Sequence, residues 1–219
     1  MGPAARVAVG AIVRVKICGI RRLPDALVAV EAGADAIGLN FWRPGRRYVA
    51  PETARAICRS IPPFVARVGV FADEDPGTIR EIADRCDLDA LQLHGAETPE
   101  FCQQFDRPVI KAIKVRGEDT LGELHRYRVT AFLLDAHVTG EMGGTGRTFN
   151  WSIGARARDA GPVILSGGLT PENVTDAIRA AAPYAVDVAS GVETGGEKDP
   201  EKIRAFIARV HAWNSAEVR

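Results

Sequence analysis

Short runs of β-branched and other apolar residues alternate with longer segments of helical periodicity along nearly the whole chain. Each short run is typical of a buried parallel strand, and each longer segment is typical of a helix that packs on the sheet. The pattern predicts eight strands, at 13–18, 36–41, 67–71, 90–94, 109–115, 131–136, 163–166 and 185–189. It predicts eight helices, near 24–32, 51–60, 76–85, 98–105, 118–125, 151–159, 171–181 and 200–212.

Strict alternation of eight strands with eight helices is what a closed barrel requires. A doubly wound open sheet is the main alternative, but such sheets usually have fewer strands or a second domain. No linker, low-complexity segment or charge block marks a domain boundary in this chain. We therefore predict a single-domain α/β protein, a (β/α)8 TIM barrel over residues 13–219, preceded by an N-terminal tail over residues 1–12.

The composition gives no reason to expect nucleic acid or a membrane as a partner. Lys plus Arg and Asp plus Glu both number 28 among 219 residues, so the formal net charge is zero. No apolar run approaches the ~20 residues that a bilayer span needs. The four cysteines form no C-x-x-C pair, and Cys58, Cys86 and Cys102 sit in segments of helical pattern, where we expect small buried side chains. These features predict a cytoplasmic protein in a reducing compartment.

Glycine-rich turns follow the last three predicted strands. They are Gly143-Gly144-Thr145-Gly146, Ser166-Gly167-Gly168 and Ser190-Gly191. In this fold the loops after strands seven and eight commonly bind phosphate, because backbone N–H groups can approach an anion closely where there is no side chain. Tight turns without a ligand are the alternative for any one of them. Their occurrence at consecutive strand ends predicts phosphate binding by Gly144, Gly146, Gly167, Gly168, Ser190 and Gly191.

Two strand-end residues are candidates for acid–base chemistry. Cys18 ends the first strand before Gly19, and its thiolate could act as a base if its surroundings lower its pKa from about 8.5. Asp135 ends an apolar strand, where a carboxyl group is costly unless it is hydrogen-bonded or faces a wet pocket. A core cysteine and a structural hydrogen bond are the respective alternatives.

Arg47 and His94 are candidates for substrate binding. Arg47 lies in a loop after strand two, and an arginine fork fits a carboxylate in bidentate fashion. His94 closes strand four, where a neutral imidazole could hydrogen-bond to substrate or to a neighbouring side chain. The histidines show no metal-ligand spacing, so we predict no metal site.

These residues lie in motifs that resemble one known family. The motifs are VKICGI (15–20), DAIGLNF (35–41), RRYV (46–49), VGVF (68–71), LQLHG (91–95), LLDA (133–136), GGTG (143–146), LSGGLTPENV (165–174) and VDVASGVE (186–193). In this order, from Val15 to about Phe206, they resemble phosphoribosylanthranilate isomerase of tryptophan biosynthesis. The resemblance implies a barrel of the ribulose-phosphate-binding type and no cofactor. It also implies an Amadori rearrangement of N-(5′-phosphoribosyl)anthranilate to 1-(2-carboxyphenylamino)-1-deoxyribulose 5-phosphate.

The resemblance also assigns roles. Cys18 would be the general base that removes a proton from C2′, and Asp135 the general acid that protonates the ring oxygen. Arg47 would hold the anthranilate carboxylate, and the glycine turns the phosphate of this small phosphosugar. The chain departs from the family pattern at Gly45, where serine is frequent, and at Arg21, where threonine is usual. Asn150 replaces a frequent aspartate and is an equivalent helix cap.

Several alternatives stay open. The histidine-pathway ribotide isomerase performs the same rearrangement but has an aspartate at the position of Cys18, which argues against it, although dual activity is possible. A pentose-phosphate epimerase would need strand-end metal ligands that are missing. A non-catalytic phosphosugar-binding barrel would not need the acid, the base and the arginine together. Arg21 could line the mouth and alter the substrate range, and the sequence leaves monomer and homodimer undecided.

Overall fold

Eight parallel strands close into a barrel in the computed structural model, which describes residues 12–115, 117, 119–135 and 151–217. The strands are β1 (Arg14–Cys18), β2 (Ala36–Asn40), β3 (Ala66–Phe71), β4 (Ala90–Leu93), β5 (Val109–Lys114), β6 (Ala131–Asp135), β7 (Val163–Ser166) and β8 (Ala185–Val188). Neighbours in sequence pair with each other, and β8 pairs with β1 to complete the ring. The predicted (β/α)8 barrel is therefore confirmed, and each strand begins and ends within one residue of its predicted limits.

The helices follow the strands as expected. They are α1 (Leu23–Ala32), α2 (Pro51–Ser60), α3 (Pro76–Arg85), α4 (Pro99–Cys102), α5 (Asp119–Leu124), α6 (Ser152–Ala157), α7 (Val174–Ala181) and α8 (Pro200–Glu217). The predicted helices after β4, β6 and β7 were too long by two or more residues at one end, and the last predicted helix ended five residues too early. The helix after β4 ends at Cys102, and the chain turns before the Arg107-Pro108 pair, since proline disfavours helix in the residue before it. The helix after β7 begins only at Val174, because the Asn173 side chain accepts a hydrogen bond from the Thr170 N–H and holds that segment in a turn.

The barrel interior is apolar towards the amino ends of the strands and polar towards their carboxyl ends. Successive residues of a strand point to opposite faces, so residues two apart share a face. Val68, Ile110, Leu133 and Ile164 form one buried cluster within the ring. Two residues further along these or neighbouring strands, the same face carries polar side chains, among them Asp135 and Ser166. The apolar layer closes the bottom of the barrel, and the polar layer faces the carboxyl ends of the strands.

Other features of the fold bear on the sequence predictions. Cys58, Cys86 and Cys102 are buried and free, as expected for helix residues packed on the barrel. A short hairpin, β9 (Glu193–Thr194) and β10 (Glu197–Lys198), lies between β8 and α8. Within the described part of the chain, no helix is long and apolar enough to cross a membrane. The predicted tail boundary stays a prediction, because residues 1–11 lie outside the described residues.

Candidate active site

A cavity of about 910 Å³ opens at the carboxyl ends of the strands. Its wall includes most of the residues predicted from the sequence, namely Cys18, Arg47, His94, Asp135, Gly167, Gly168 and Ser190. Gly191 lies behind this wall, next to Ser190. Gly144 and Gly146 lie outside the described residues, as do His137 and Asn150. The barrel thus gathers residues that are far apart in the chain around one space, as the positions of catalytic sites in this fold predict.

The turn after β7 has a backbone that only glycine adopts easily. Gly167 and Gly168 have φ angles of +90° and +66°. Neither of their N–H groups donates to an acceptor among the residues that the structure describes. The Gly168 carbonyl accepts from the Asn173 side chain, which fixes the turn. Backbone donors therefore remain available beside the cavity.

Gly191 serves the packing of two loops against each other. A Cβ atom at this position would lie 1.8 Å from the carbonyl oxygen of Leu169, so no other residue fits without moving the backbone. The residue belongs to a 3-10 turn, Ser190–Val192, that directly follows Ala189. The close approach brings the loops after β7 and β8 into contact, with Ser190 on the cavity side.

The condition that the sequence places on Cys18, a pKa lowered by its surroundings, is not met in this structure. Burial raises the pKa of the thiol, because a thiolate is poorly solvated at the base of the cavity. The ammonium groups of Lys16 and Lys198 oppose this effect but do not outweigh it, and Asp187 adds to it. Gly38 on β2 makes room for the group, since a Cβ there would lie 2.8 Å from Cys18 Sγ and 3.1 Å from Lys16 Nζ.

His94 contacts Asp135, which is one of the two possibilities that the sequence left open. His94 Nε2 lies 3.4 Å from Asp135 Oδ2, and His94 Nδ1 lies 2.9 Å from Gln92 Nε2. Both side chains are partly exposed to the cavity. The imidazole thus links the candidate acid to the interior of the barrel.

Sequence reasoning missed three buried polar residues at the base of the cavity, Lys16, Gln92 and Asp187, of which the last two line its wall. Lys16 Nζ donates to Asp187 Oδ1 at 2.6 Å and to Gln92 Oε1 at 2.9 Å. Asp187 Oδ2 accepts from the hydroxyl of Ser166 at 3.0 Å. Each of the three has a signal in the sequence, because it is a charged or amide side chain one or two positions before the last residue of a largely apolar strand. Such a residue is costly inside a protein unless it is paired, so the pattern predicts a polar layer.

Arg47 reaches the cavity with part of its guanidinium already engaged. Its Nε and Nη2 atoms donate to the two carboxylate oxygens of Glu193 at 2.7 and 3.0 Å. Glu193 also accepts from Arg46 at 2.8 Å and from Lys198 at 3.0 Å. The hydrogen bond to Glu193 raises the pKa of Arg47, while Arg47 and Lys198 lower the pKa of Glu193 to about 2 despite its burial. Three cations share one carboxylate, so this side of the mouth carries an excess of positive charge.

The two departures from the family pattern have different surroundings. Arg21 forms an ion pair with Glu197 of the hairpin and is not among the described residues that line the cavity, contrary to the expectation that it could. Gly45 packs against the indole of Trp42, which does line the cavity. A Cβ at position 45 would lie 2.9 Å from Trp42 Cε3. Among the described residues, no group of three or more His, Cys, Asp or Glu side chains is placed to hold a metal ion.

Comparison with known proteins extends over nearly the whole chain. The family model described as N-(5'phosphoribosyl)anthranilate (PRA) isomerase matches residues 15–209. A relative in Geobacter sulfurreducens, named N-(5'-phosphoribosyl)anthranilate isomerase, is 52% identical over 203 residues, which are 92% of this chain and 100% of the relative.

Solved structures agree with the sequence comparison. The phosphoribosyl anthranilate isomerase from Thermotoga maritima is 47% identical and superposes with a TM-score of 0.86, covering 92% of this chain and 100% of that one. A structure of this isomerase in complex with reduced 1-(o-carboxyphenylamino)-1-deoxyribulose 5-phosphate is 45% identical, with a TM-score of 0.83 and the same coverage. A structure described as monomers generated from the dimeric Thermotoga maritima enzyme is 43% identical, with a TM-score of 0.82 and again the same coverage. The chain therefore belongs to the phosphoribosylanthranilate isomerase family, the isomerases of tryptophan biosynthesis.

Proposed function

We propose that this chain converts N-(5′-phosphoribosyl)anthranilate to 1-(2-carboxyphenylamino)-1-deoxyribulose 5-phosphate, with Asp135 as general acid and Cys18 as general base. The observation that carries the assignment of roles is their placement. The two side chains line one cavity from β6 and β1, which are separated by two strands on one side of the ring and by four on the other. A sugar between them can meet an acid and a base at different atoms.

Asp135 acts first in this proposal. Its carboxyl group gives a proton to the ring oxygen of the ribose, and the bond between C1′ and that oxygen breaks. The nitrogen lone pair then forms a C=N bond to C1′, which yields an open-chain protonated Schiff base. Such a proton transfer from a positioned group typically contributes ~10²–10⁴-fold in rate.

Cys18 acts second. Its thiolate removes the proton from C2′, and the electron pair of that C–H bond forms a C1′=C2′ bond as the C=N electrons return to nitrogen. The resulting enolamine tautomerises to the ketone. Because burial raises the pKa of the thiol, the thiolate depends on the Lys16 ammonium beside it. A base with a raised pKa is scarce at neutral pH but strong once formed.

The two charged ends of the substrate fit opposite parts of the wall. The N–H groups of Gly167 and Gly168, together with the Ser190-Gly191 turn, would bind the phosphate, joined by Gly144 and Gly146. Arg47 would bind the anthranilate carboxylate with the donors that Glu193 does not use. The excess of cations around Glu193 supports an anionic group at this side. His94 would act through Asp135.

Steady-state turnover of N-(5′-phosphoribosyl)anthranilate, followed as the loss of its fluorescence, tests this function. We expect turnover without added metal or organic cofactor. The aminoimidazole carboxamide ribotide of the histidine pathway is the comparison substrate. Turnover of that ribotide alone would overturn the proposal, and turnover of both would identify a dual-specificity enzyme.

A crystal grown with phosphate or sulfate tests the anion site independently. We expect the ion at the N–H groups of Gly168 and Gly191. An ion bound only to lysine or arginine side chains away from β7 and β8 would contradict the assignment.

Two further observations bear on the assembly and the location of the protein. We propose a cytoplasmic homodimer, supported by the solved relative that is described as dimeric and by the free state of all four cysteines. Phe64, in the loop between α2 and β3, is 96% exposed and would be covered in a dimer. Light scattering on the wild type and on Phe64→Ser distinguishes a dimer that dissociates from a protein that is monomeric in both forms.

A further inference from the structure

A chain of hydrogen bonds crosses the barrel at the base of the cavity, from Asp187 on β8 to Asp135 on β6. Lys16 donates to Asp187 at 2.6 Å and to Gln92 Oε1 at 2.9 Å. Gln92 Nε2 lies 2.9 Å from His94 Nδ1, and His94 Nε2 lies 3.4 Å from Asp135 Oδ2. Lys16, Gln92 and Asp187 are each at most 4% exposed, so water does not substitute for these partners.

The direction of this chain follows from chemistry. A lysine ammonium has donors only, so the Gln92 atom that faces it must be the carbonyl oxygen. The other side of the amide is an NH₂ group, which can only donate, and it faces His94 Nδ1. Nδ1 must then be an acceptor without a proton. The proton of the neutral imidazole therefore lies on Nε2, the atom that faces Asp135.

Lys16 is charged in this environment, as the argument requires. Its ammonium lies between two acceptors, Asp187 and Gln92, and next to Cys18. Burial opposes the charge, but the interactions with Asp187 and Cys18 raise the pKa of Lys16 above its ordinary value. The Lys16 end of this hydrogen-bond chain is therefore fixed as a donor.

We propose that Gln92 is a positioning residue that fixes His94 as the neutral tautomer with its proton on Nε2. The Nε2–H group of His94 then donates a hydrogen bond to Asp135. The benefit to catalysis rests on the function proposed above. The tautomer itself does not.

The consequence for Asp135 is orientation. With Oδ2 accepting from His94, the proton that the carboxyl group delivers must lie on Oδ1. A His94 with its proton on Nδ1 would instead present a lone pair to Oδ2 and turn the carboxyl group, because Oδ2 would then have to carry the proton. The single amide of Gln92 thus decides which oxygen of the acid is active.

The charged groups around His94 act in the same sense. Lys111 on β5 donates to the carbonyl oxygens of Leu93 and Gly95 on either side of the histidine, at 3.2 and 2.8 Å. Glu97 and Asp73 are engaged by Lys111 and by backbone N–H groups rather than by the imidazole. Among the described residues, the carboxylate that contacts the ring is Asp135. Lys111 contacts the backbone on either side of His94, and Lys16 reaches the ring through Gln92.

Nitrogen NMR of ¹⁵N-histidine-labelled protein tests the proposal, because long-range ¹H–¹⁵N correlations distinguish the two tautomers and the imidazolium. The chain has four histidines, and the signals that disappear in His94→Asn identify the relevant ring. We expect the Nε2–H pattern at neutral pH in the wild type. An Nδ1–H or doubly protonated His94 would overturn the proposal.

Two substitutions test the role of Gln92. In Gln92→Glu the carboxylate accepts where the amide donated, so His94 should gain a proton on Nδ1. In Gln92→Met, which adds no charge beside Asp187, the Nε2–H pattern should give way to a mixture. Gln104→Glu, at an exposed position, is the matched control and should leave the spectrum unchanged. Retention of the wild-type pattern in folded Gln92→Met would show that Gln92 does not set the tautomer.

Kinetics separate this inference from the proposed function. We expect both Gln92 variants to lose about tenfold in kcat with little change in KM, since the acid is misoriented while the substrate contacts persist. An unchanged kcat with a changed tautomer would contradict the link to Asp135. Absence of wild-type turnover with the expected tautomer would refute the proposed function and leave the Gln92 assignment standing.

Discussion

Two buried lysine–carboxylate pairs lie on the barrel, and they differ in what surrounds them. Lys16 pairs with Asp187 at 2.6 Å and points into the barrel, where its further partners are side chains that lead to the cavity. Lys111 pairs with Glu97 at 2.7 Å, and its further partners are backbone carbonyl groups of the loop after β4. Lys111 alternates with Ile110 and Ala112, which belong to the interior cluster, so it points to the opposite face of the sheet.

The difference indicates how to distinguish a structural ion pair from a functional one. Glu97 accepts from the N–H groups of Asp73 and Gly95, so the outer pair joins two loops through the backbone. The inner pair joins side chains whose ends reach the substrate space. Burial, distance and residue type are nearly identical in the two pairs. The two pairs differ in what each contacts next. Lys111 also lines the cavity, but its further contacts are with the backbone, so we expect the outer pair to serve the fold and the inner pair to serve the proposed chemistry.

The largest effects should come from the proposed base, Cys18 beside Lys16, and the proposed acid, Asp135 at the end of the hydrogen-bond chain. We expect Cys18→Ser and Asp135→Asn each to lose at least ~10²-fold in kcat, since each removes one proton transfer. Steady-state kinetics with the anthranilate ribotide measures this, and thermal unfolding should show that both variants fold.

A cysteine beside the outer pair provides the matched control. Cys102 is buried at the end of α4, and burial raises its pKa to about 11 despite the nearby Lys111. Cys102→Ser should leave kcat nearly unchanged, as should Cys58→Ser and Cys86→Ser. Wild-type turnover in Cys18→Ser would mean that the base is another group.

The contrast between the two pairs could be predicted from the sequence only in part. Strand periodicity predicts every strand to within one residue, because β-branched runs and helix-start residues are local signals. It also predicts the residues at the carboxyl ends of the strands and in the loops that follow them, and so predicts Cys18, Arg47, His94 and Asp135 at one cavity. Partners across the ring could not be predicted, since the contact of Lys16 with Asp187 joins positions 171 residues apart. The direction of the pKa shift of Cys18 could not be predicted either, because the depth of the thiol depends on residues from other strands.

Paired substitutions test the comparison directly. Lys16→Met or Lys111→Met alone leaves a buried carboxylate unpaired and should cost about 3–5 kcal/mol of unfolding free energy in either case. Adding Asp187→Asn or Glu97→Gln should recover much of that loss, because both partners are then neutral. Turnover should separate the double variants. We expect the inner one to lose ~10–10²-fold in kcat and the outer one to stay near wild type.

Denaturant unfolding and kinetics on the same four proteins check this prediction. Equal losses of kcat in the two double variants would remove the distinction between the pairs.

A third lysine–carboxylate pair, Lys198 with Glu193, combines both kinds of contact. Lys198 donates to the Ala189 carbonyl oxygen, while Glu193 holds Arg47 at the cavity. We expect Arg47→Ala to raise KM about tenfold with a smaller effect on kcat, because the contact with the substrate carboxylate persists into the transition state. Glu193→Gln should raise KM less, since it only weakens the hydrogen bonds that hold the Arg47 guanidinium. A fall in kcat at constant KM would give Arg47 another role.

The stability of Glu193→Gln should also depend on pH in a different way from that of the wild type. The pKa of Glu193 is lowered to about 2, below its value in an unfolded chain, so its ionisation stabilises the fold above about pH 4.3 and this contribution is lost as the pH falls towards 2. Glu193→Gln should therefore weaken the loss of stability on acidification. Thermal unfolding between these pH values measures it, with Glu197→Gln in the same hairpin as the control.

The smallest expected effect concerns an uncharged part of the cavity wall. It tests whether the contacts of Trp42 also determine its role. Trp42 lines the cavity on the loop that carries Arg47, and Gly45 lies against its ring. Gly45→Ser places a Cβ 2.9 Å from Trp42 Cε3 and 3.2 Å from the Trp42 carbonyl oxygen, so the indole must move. If the indole contacts the aromatic ring of the substrate, such a contact is worth about 0.5–1.5 kcal/mol, or roughly two- to tenfold in KM. We expect Gly45→Ser to raise KM by an amount at the lower end of this range and to leave kcat unchanged.

Trp42→Leu should reach the upper end, and combining it with Gly45→Ser should add little, because the indole that the serine displaces is already gone. Additive effects of the two substitutions would mean that Gly45 acts on Arg47 rather than through Trp42.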